Sequence, residues 1–312
     1  KFKIMKIKKL ILSILIASVN SLVLASFNDV NAQNSKSLIK SIAGGQIDWT
    51  NKVVIVKGQG APPSTGGLPQ KRLKARLAAR TDAYRNLAEI VNGVQVTSET
   101  LVKNFVTVSD VTKLRVDAVV KGARQYGEEK YLSDGSVEVS LALSLFGNGS
   151  VASALELGNY IKDKETIESM LPDTRIASLN DFAIPEKKPV KISLEDSGNI
   201  TGLIVDASGL GVEPAMSPFI VGGGKIVYAG GKIDVDPEKI VKYGVNDYTD
   251  DLDAAKKDVN RVGTSPLIIE AKGATGKPNR TNILLDEMTL KTIIEANEKH
   301  KFLNNLNVVI VI

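Results

Sequence analysis

A reaction needs a base, a nucleophile or a metal ligand, and this chain offers few of them. Its 312 residues contain one histidine, His300, and no cysteine. His300 closes a helical pattern, where the helix dipole favours a charged imidazole, and no GxSxG elbow supplies a serine for it to activate. One histidine without cysteine cannot assemble a typical zinc or iron site. The run GATGKP (Gly273–Pro278) resembles a phosphate loop only superficially. The glycine required five positions before Gly276 is Ala271, and Pro278 stands where a magnesium-binding hydroxyl belongs. Gly209, Leu210 and Gly211 fail as a dinucleotide loop, because Pro214 and Pro218 interrupt the helix that should receive a pyrophosphate.

Carboxylates are more plentiful. Asp247, Asp250, Asp251 and Asp253 form the densest acidic cluster, and Asp234, Asp236 and Glu238 a second. EF-hand spacing, with its central glycine and terminal glutamate, is absent from both, so calcium binding is set against the simpler role of helix capping. Neither a catalytic residue nor a cofactor or metal site is expected.

A charged surface is the remaining resource, and it lies on one helix. From Lys71 to Gly93, helix-forming residues place Leu73, Leu77, Tyr84, Leu87 and Val91 at helical spacing, with Ala75, Ala79 and Ala83 as an i, i+4 ridge that lets a helix lie close to a sheet. Asn92 and Gly93 should end it, with a left-handed cap. Its outward positions carry Lys71, Arg72, Lys74, Arg76, Arg80 and Arg85 against only Asp82 and Glu89. Such a face suits an anionic partner, whether lipid headgroup, polysaccharide or acidic subunit, or else is simply solvated.

The loop before this helix, Gly58–Gln70, holds three prolines and four glycines and reads as a long turn-rich connection. The expected interaction surface is therefore Arg72, Lys74, Arg76, Arg80 and Arg85, together with the loop around Ala61, Pro62 and Pro63.

The remaining elements must position this helix. Val53–Lys57 reads as a first strand, Val94–Phe105 as a strand, Ser109–Leu114 as a helical turn and Val116–Tyr131 as a long strand. A turn at Ser133–Gly135 leads into Val137–Phe146, whose alternation argues an antiparallel sheet with one buried face. A second unit begins at Thr201. It should hold a Phe219–Val221/Lys225–Tyr228 hairpin, a helix capped by Asp236 with Pro237 at its first position and Gly244 as its stop, and a helix over Asp251–Asn260. Strands at Leu267–Ala271 and Thr281–Leu285, a helix opened by Asp286, and an apolar interior strand over Leu306–Ile312 complete it.

The expected class is α+β: an antiparallel sheet packed by one long helix, plus a second, smaller α+β unit. The boundaries follow as signal peptide 1–32, N-terminal arm 33–48, first domain 49–149, connector 150–198 and second domain 199–312.

The leader reading rests on Lys1, Lys3, Lys6, Lys8 and Lys9 before an apolar stretch over Leu10–Ala25, with Ala32 as the preferred cleavage point. Sixteen residues interrupted by Ser13, Ser18, Asn20 and Ser21 fall short of a span. Without cysteine there is no lipobox and no acyl anchor. The formal net charge is +5, and residues 1–32 hold five lysines and Asp29, so the remaining 35 basic and 34 acidic residues leave +1. That near-neutral body gives no electrostatic footprint for nucleic acid.

The run ARTDAYRNLAEIVNGV, the following Val96–Val106 and VDAVVKGAR (Val116–Arg124) resemble the Lpp-twenty-like envelope lipoprotein family. They are also similar to the N-terminal domain of flagellar assembly protein T. The resemblance covers roughly Val53–Phe146, and TGLIVDASGLGVEPAMSP (Thr201–Pro218) resembles the C-terminal extension of longer family members. It implies a non-catalytic periplasmic or secreted protein that assembles with itself or docks on envelope or flagellar machinery. The alternative is a periplasmic ligand- or glycan-binding module using the loop at Ala61 or the one at Gly209–Pro218.

Overall fold

The computed structural model describes residues 37–162, 198–223, 225–228 and 234–312. The expected leader, the start of the arm and residues 163–197 of the expected connector lie outside the described residues.

Strands β1 (Ile39–Ile42), β2 (Gly45–Asp48) and β3 (Val53–Gly60) form an antiparallel meander. The arm expected over 33–48 is thus part of the sheet from residue 39 onward, and Ile47 and Trp49 reach the core. A mixed polar composition conceals these strands because β1 is an exposed edge with no apolar alternation to betray it.

The expected end of β3 at Lys57 also moves. Gly58, Gln59 and Gly60, assigned to a loop for their glycines, continue the strand and pair with Val139, Glu138 and Val137. Helix α1 (Leu68–Asn92) then lies across the sheet. Gly93 closes α1 in the right-handed region, with φ −87°, rather than the left-handed one expected.

The Ala75, Ala79 and Ala83 ridge faces the sheet, fully buried, with Leu87 and Ile90. The glycines of β3 explain why alanine is needed. A Cβ on Gly60 would lie 2.1 Å from the Ala75 carbonyl oxygen, so helix and strand backbones touch with nothing between. Leu73 and Leu77, at helical spacing with Leu87 and Val91, are each 65% exposed.

Two expected strands give way in part to helices. Val94–Phe105 supplies only a bridge between Gln95 and Leu101, followed by α2 (Val102–Val108). Val116–Tyr131 begins inside α3 (Asp110–Lys121), which is opened by Ser109, whose hydroxyl accepts from the Thr112 amide at 3.2 Å, and only its later part returns to the sheet as two short strands. The β-branched residues in this stretch suggest a strand locally, but Val116 and Val120 are buried at i, i+4 spacing and tertiary packing wins.

Strands β4 (Arg124–Gln125) and β5 (Lys130–Tyr131) then pair with β6 (Val137–Ser144). The sheet order is β1-β2-β3-β6-β4, and β6 buries Val137, Val139, Leu141 and Leu143 on one face, as its alternation predicts. The first residues of the expected connector are also structured. Helices α4 (Val151–Ala154) and α5 (Leu157–Lys162) bury Val151, Ala152, Leu157 and Ile161.

The second module holds two four-stranded sheets. One has the order β10 (Asp247–Thr249), β14 (Val308–Val311), β7 (Gly202–Asp206), β11 (Pro266–Glu270), all parallel. The other has the order β12 (Gly273–Thr275), β13 (Asn282–Leu284), β8 (Ile220–Gly222), β9 (Lys225–Tyr228).

Helix α6 (Pro237–Tyr243) has Asp236 as N-cap and ends at Gly244, whose φ of 74° favours glycine. Asp251 caps α7 (Leu252–Lys257), α8 (Val259–Val262) follows, and Asp286 caps α9 (Glu287–His300). The C-terminal strand β14 is interior and buried throughout, as expected. Its neighbours, however, are β7 and β10. The expected partner at Thr281–Leu285 belongs to the other sheet, so α9 connects sheets rather than crossing over within one.

The architecture is α+β in two modules, and one hydrophobic cluster runs from Ile47 to Ile310 through both. Among the described residues, no helix is long and apolar enough to cross a membrane.

Candidate functional site

Helix α1 carries two apolar stripes on opposite sides. The alanine ridge is spent on the sheet. The second stripe, Leu73, Leu77, Tyr84, Ala88 and Val91, is covered only toward its C-terminal end, where α2 and α3 pack and Val91 is fully buried. Leu73 and Leu77 are left uncovered, one turn apart.

By helical geometry Arg76 and Arg80 flank the leucine pair on one side, with Lys74 and Arg85 on the other. From Leu68 to Thr81 there is no acidic residue.

Neighbours hold several of these cations in place. Arg76 Nε donates to Glu129 Oε1 at 2.7 Å, a contact that raises the guanidinium pKa above its ordinary value. Arg85 pairs with Asp82, and Arg80 lies 5.9 Å from the centre of the Tyr84 ring. Arg72 and Lys74 are exposed without an acidic partner among the described residues.

The loop at Ala61, Pro62 and Pro63 leads from β3 into the start of α1. Lys71 Nζ ties it to the helix through the Ser64 carbonyl at 3.0 Å. Exposed apolar residues continue beyond α1, where Val108, Val111 and Leu114 point outward at the α2–α3 corner. Spacing alone could not reveal the uncovered pair, because a helix with two apolar stripes does not declare which one meets the sheet.

Along one flank of α1 runs a shallow trough of about 530 Å³, lined by Gln59, Lys74, Leu77, Ala78, Asp82 and Arg85. Another open cleft, about 880 Å³, lies where α5 meets α6. Asn148, Glu156, Asn159, Asp236, Glu238 and Lys242 line it.

The remaining candidates are absorbed by structure. Asp251 accepts from the amides of Asp253 and Ala254, and Asp236 from that of Glu238, so each caps a helix. Asp247 lies apart from its cluster, paired with Lys52 and, at 3.6 Å, with Arg261.

That group joins the modules. Lys52 Nζ donates to the Tyr243 carbonyl at 2.7 Å, and Arg261 donates to the Gly244 carbonyl at 2.9 Å. Burial pulls the Lys52 pKa below its ordinary value against the opposing pull of Asp247. Burial, reinforced by Asp247, pushes Asp258 up. Beside them Trp49 meets Tyr248 edge-on at 6.1 Å, and the Tyr248 hydroxyl both donates to and accepts from the Ala215 backbone at 3.1 Å.

The later part of the Gly209–Pro218 loop, a candidate for ligand binding, packs into this junction, while Gly209 and Gly211 stay exposed. Ala215, Met216 and Ser217 are buried, and the amides of Met216 and Ser217 donate to the carbonyls of Gln95 and Val96. Gly273–Thr275 of GATGKP is strand β12 rather than a phosphate loop. His300 Nδ1 lies 3.0 Å from Asn199 Oδ1 near the start of the second module. Among the described residues, no three His, Cys, Asp or Glu side chains gather as metal ligands.

Residues 202–312, which make up nearly all of the second module, match the family described as Treponema pallidum Tp0624, second domain. The comparison with curated proteins finds no match.

Proposed function

We propose that this chain is a non-catalytic exported component of the cell envelope, which self-associates or docks on envelope or flagellar machinery through the outer face of α1. The observation that carries the reading is the uncovered Leu73/Leu77 pair set between cationic flanks. Leaving two leucines in water forgoes ~1.5–3 kcal/mol each, and a helix already anchored by its alanine ridge has no folding use for them. Contact with a second surface recovers that energy, and arginine and lysine flanks set the sign of charge the partner must present. The Lys-rich leader pattern supports export, and the absence of cysteine removes one route of lipid attachment.

Light scattering on the full chain, alone and with its Leu73→Glu/Leu77→Glu variant, tests the reading. The parent should gain mass with concentration or cross-link to isolated envelopes, and the variant should do neither. A parent that stays monomeric and cross-links no more than the variant would end it.

A further inference from the structure

Strand β3 is paired along only part of one edge. Strand β2 covers Val53–Val56, and the Lys57 amide still reaches the Gly44 carbonyl at 3.0 Å. Past that point no strand among the described residues lies beside it. Ladder alternation turns the backbone groups of Lys57 and Gln59 toward this open side, since Gly58 and Gly60 face β6.

Side chains from α1 stand in for the missing strand. The Gln59 amide donates to Asp82 Oδ2 at 3.0 Å, and the Lys57 carbonyl accepts from Asn86 Nδ2 at 2.7 Å. The trough described above opens along this same edge, because Gln59 and Asp82 line both. A strand edge walled by a helix is the geometry that takes an extended peptide as an added strand.

Charge selects the peptide. Among the described residues Lys74 has no acidic partner and Arg85 has Asp82 alone, the residue that must swing aside to release the Gln59 amide. A carboxylate on the incoming strand would replace Asp82 at Arg85 and Lys74, while an apolar side chain would lie against Leu77 and Ala78.

We propose that the trough binds an extended acidic segment of a partner protein as an added strand on the Lys57–Gly60 edge. The proposal rests on reading this face as a docking surface and adds the conformation and charge of the occupant.

The test uses the full chain and a fluorescein-labelled peptide of alternating Glu and Val. Two controls accompany it: a Lys-Val peptide, and a Glu-Val peptide broken by proline at its centre. Anisotropy should show binding to the first alone. Ala78→Trp, on an exposed position, should fill the trough, and Lys74→Glu should weaken binding about tenfold. On the unmodified protein, amide resonances of Gln59 and Gly60 should shift on peptide addition, which holds the test open if a variant misfolds. Equal binding of the proline-broken peptide would overturn the proposal, as would competition by a sulfated polysaccharide that follows charge alone. No binding overturns it too. If the chain associates yet ignores the peptide, the strand-edge proposal falls and docking stands. Peptide binding by a strict monomer supports the proposal without self-association.

Discussion

Gly58 and Ala79 face each other so closely that a Cβ on Gly58 would sit 2.3 Å from the Ala79 carbonyl oxygen, and 2.2 Å from the Ala83 amide nitrogen. Both contacts are to backbone, which cannot rotate away. Gly58→Ala should therefore destabilise the fold by about 3 kcal/mol or more, and Ala79→Leu by ~1–3 kcal/mol. Leu77→Ala, on the outer face of the same helix, should stay within about 0.5 kcal/mol. Urea denaturation of the three variants checks the order, and equal midpoints would show that the ridge is not the buried face.

Arg261 joins β14, the end of α6 and Asp247, with its side chain only 10% exposed. Removing it leaves Asp247 with Lys52 alone and takes a donor from three backbone carbonyls, those of Tyr243, Gly244 and Val308. We expect Arg261→Ala to cost about 3 kcal/mol, with Arg261→Lys recovering little, because an ammonium cannot span the same acceptors. Thermal melts that leave either variant within 1 °C of the parent would contradict this role.

Asp258 has its pKa raised by burial and by Asp247, so the folded state holds its proton more tightly than the unfolded chain does. Its contribution is fully present below the ordinary carboxylate value and is lost as pH rises through the folded value. Asparagine should keep the Asp258 cap on the Arg261 amide, now 3.1 Å long, without the charge. From about pH 4 upward, Asp258→Asn should therefore gain stability relative to the parent. A pH series of denaturation curves in which the difference stays flat would refute the assignment.

Ile310 is fully buried in β14 between β7 and β10. Ile310→Ala should cost about 2–5 kcal/mol, and deletion of Val308–Ile312 should leave insoluble or degraded protein. If β14 were instead a strand donated to another copy, the deletion would give a soluble monomer with a cooperative melt. Circular dichroism and chromatography separate the two.

The amino-acid sequence by itself determined the elements whose instructions are local. Asp236, Pro237 and Gly244 bound a helix through contacts that each reach about one turn along the chain. The glycine run after Val221 in the sequence predicts the pairing of β8 with β9, and the alternation of Val137–Leu145 marks a half-buried strand. The fully apolar Val308–Val311 pointed to a strand covered on both faces.

The tertiary structure decided everything that depends on a distant partner. Val116 and Val120 suit a strand or a helix equally, and the core they meet selects the helix. The neighbours of β14 lie over a hundred residues upstream in β7 and some sixty upstream in β10, beyond the reach of any pattern near the C-terminus. The face of α1 that is buried depends on Gly58 and Gly60 lacking side chains, which admits alanine and turns Leu73 and Leu77 outward. The trough exists because β2 stops short of β3. Where a neighbouring strand ends is a property of pairing, so no residue in the trough could have announced it.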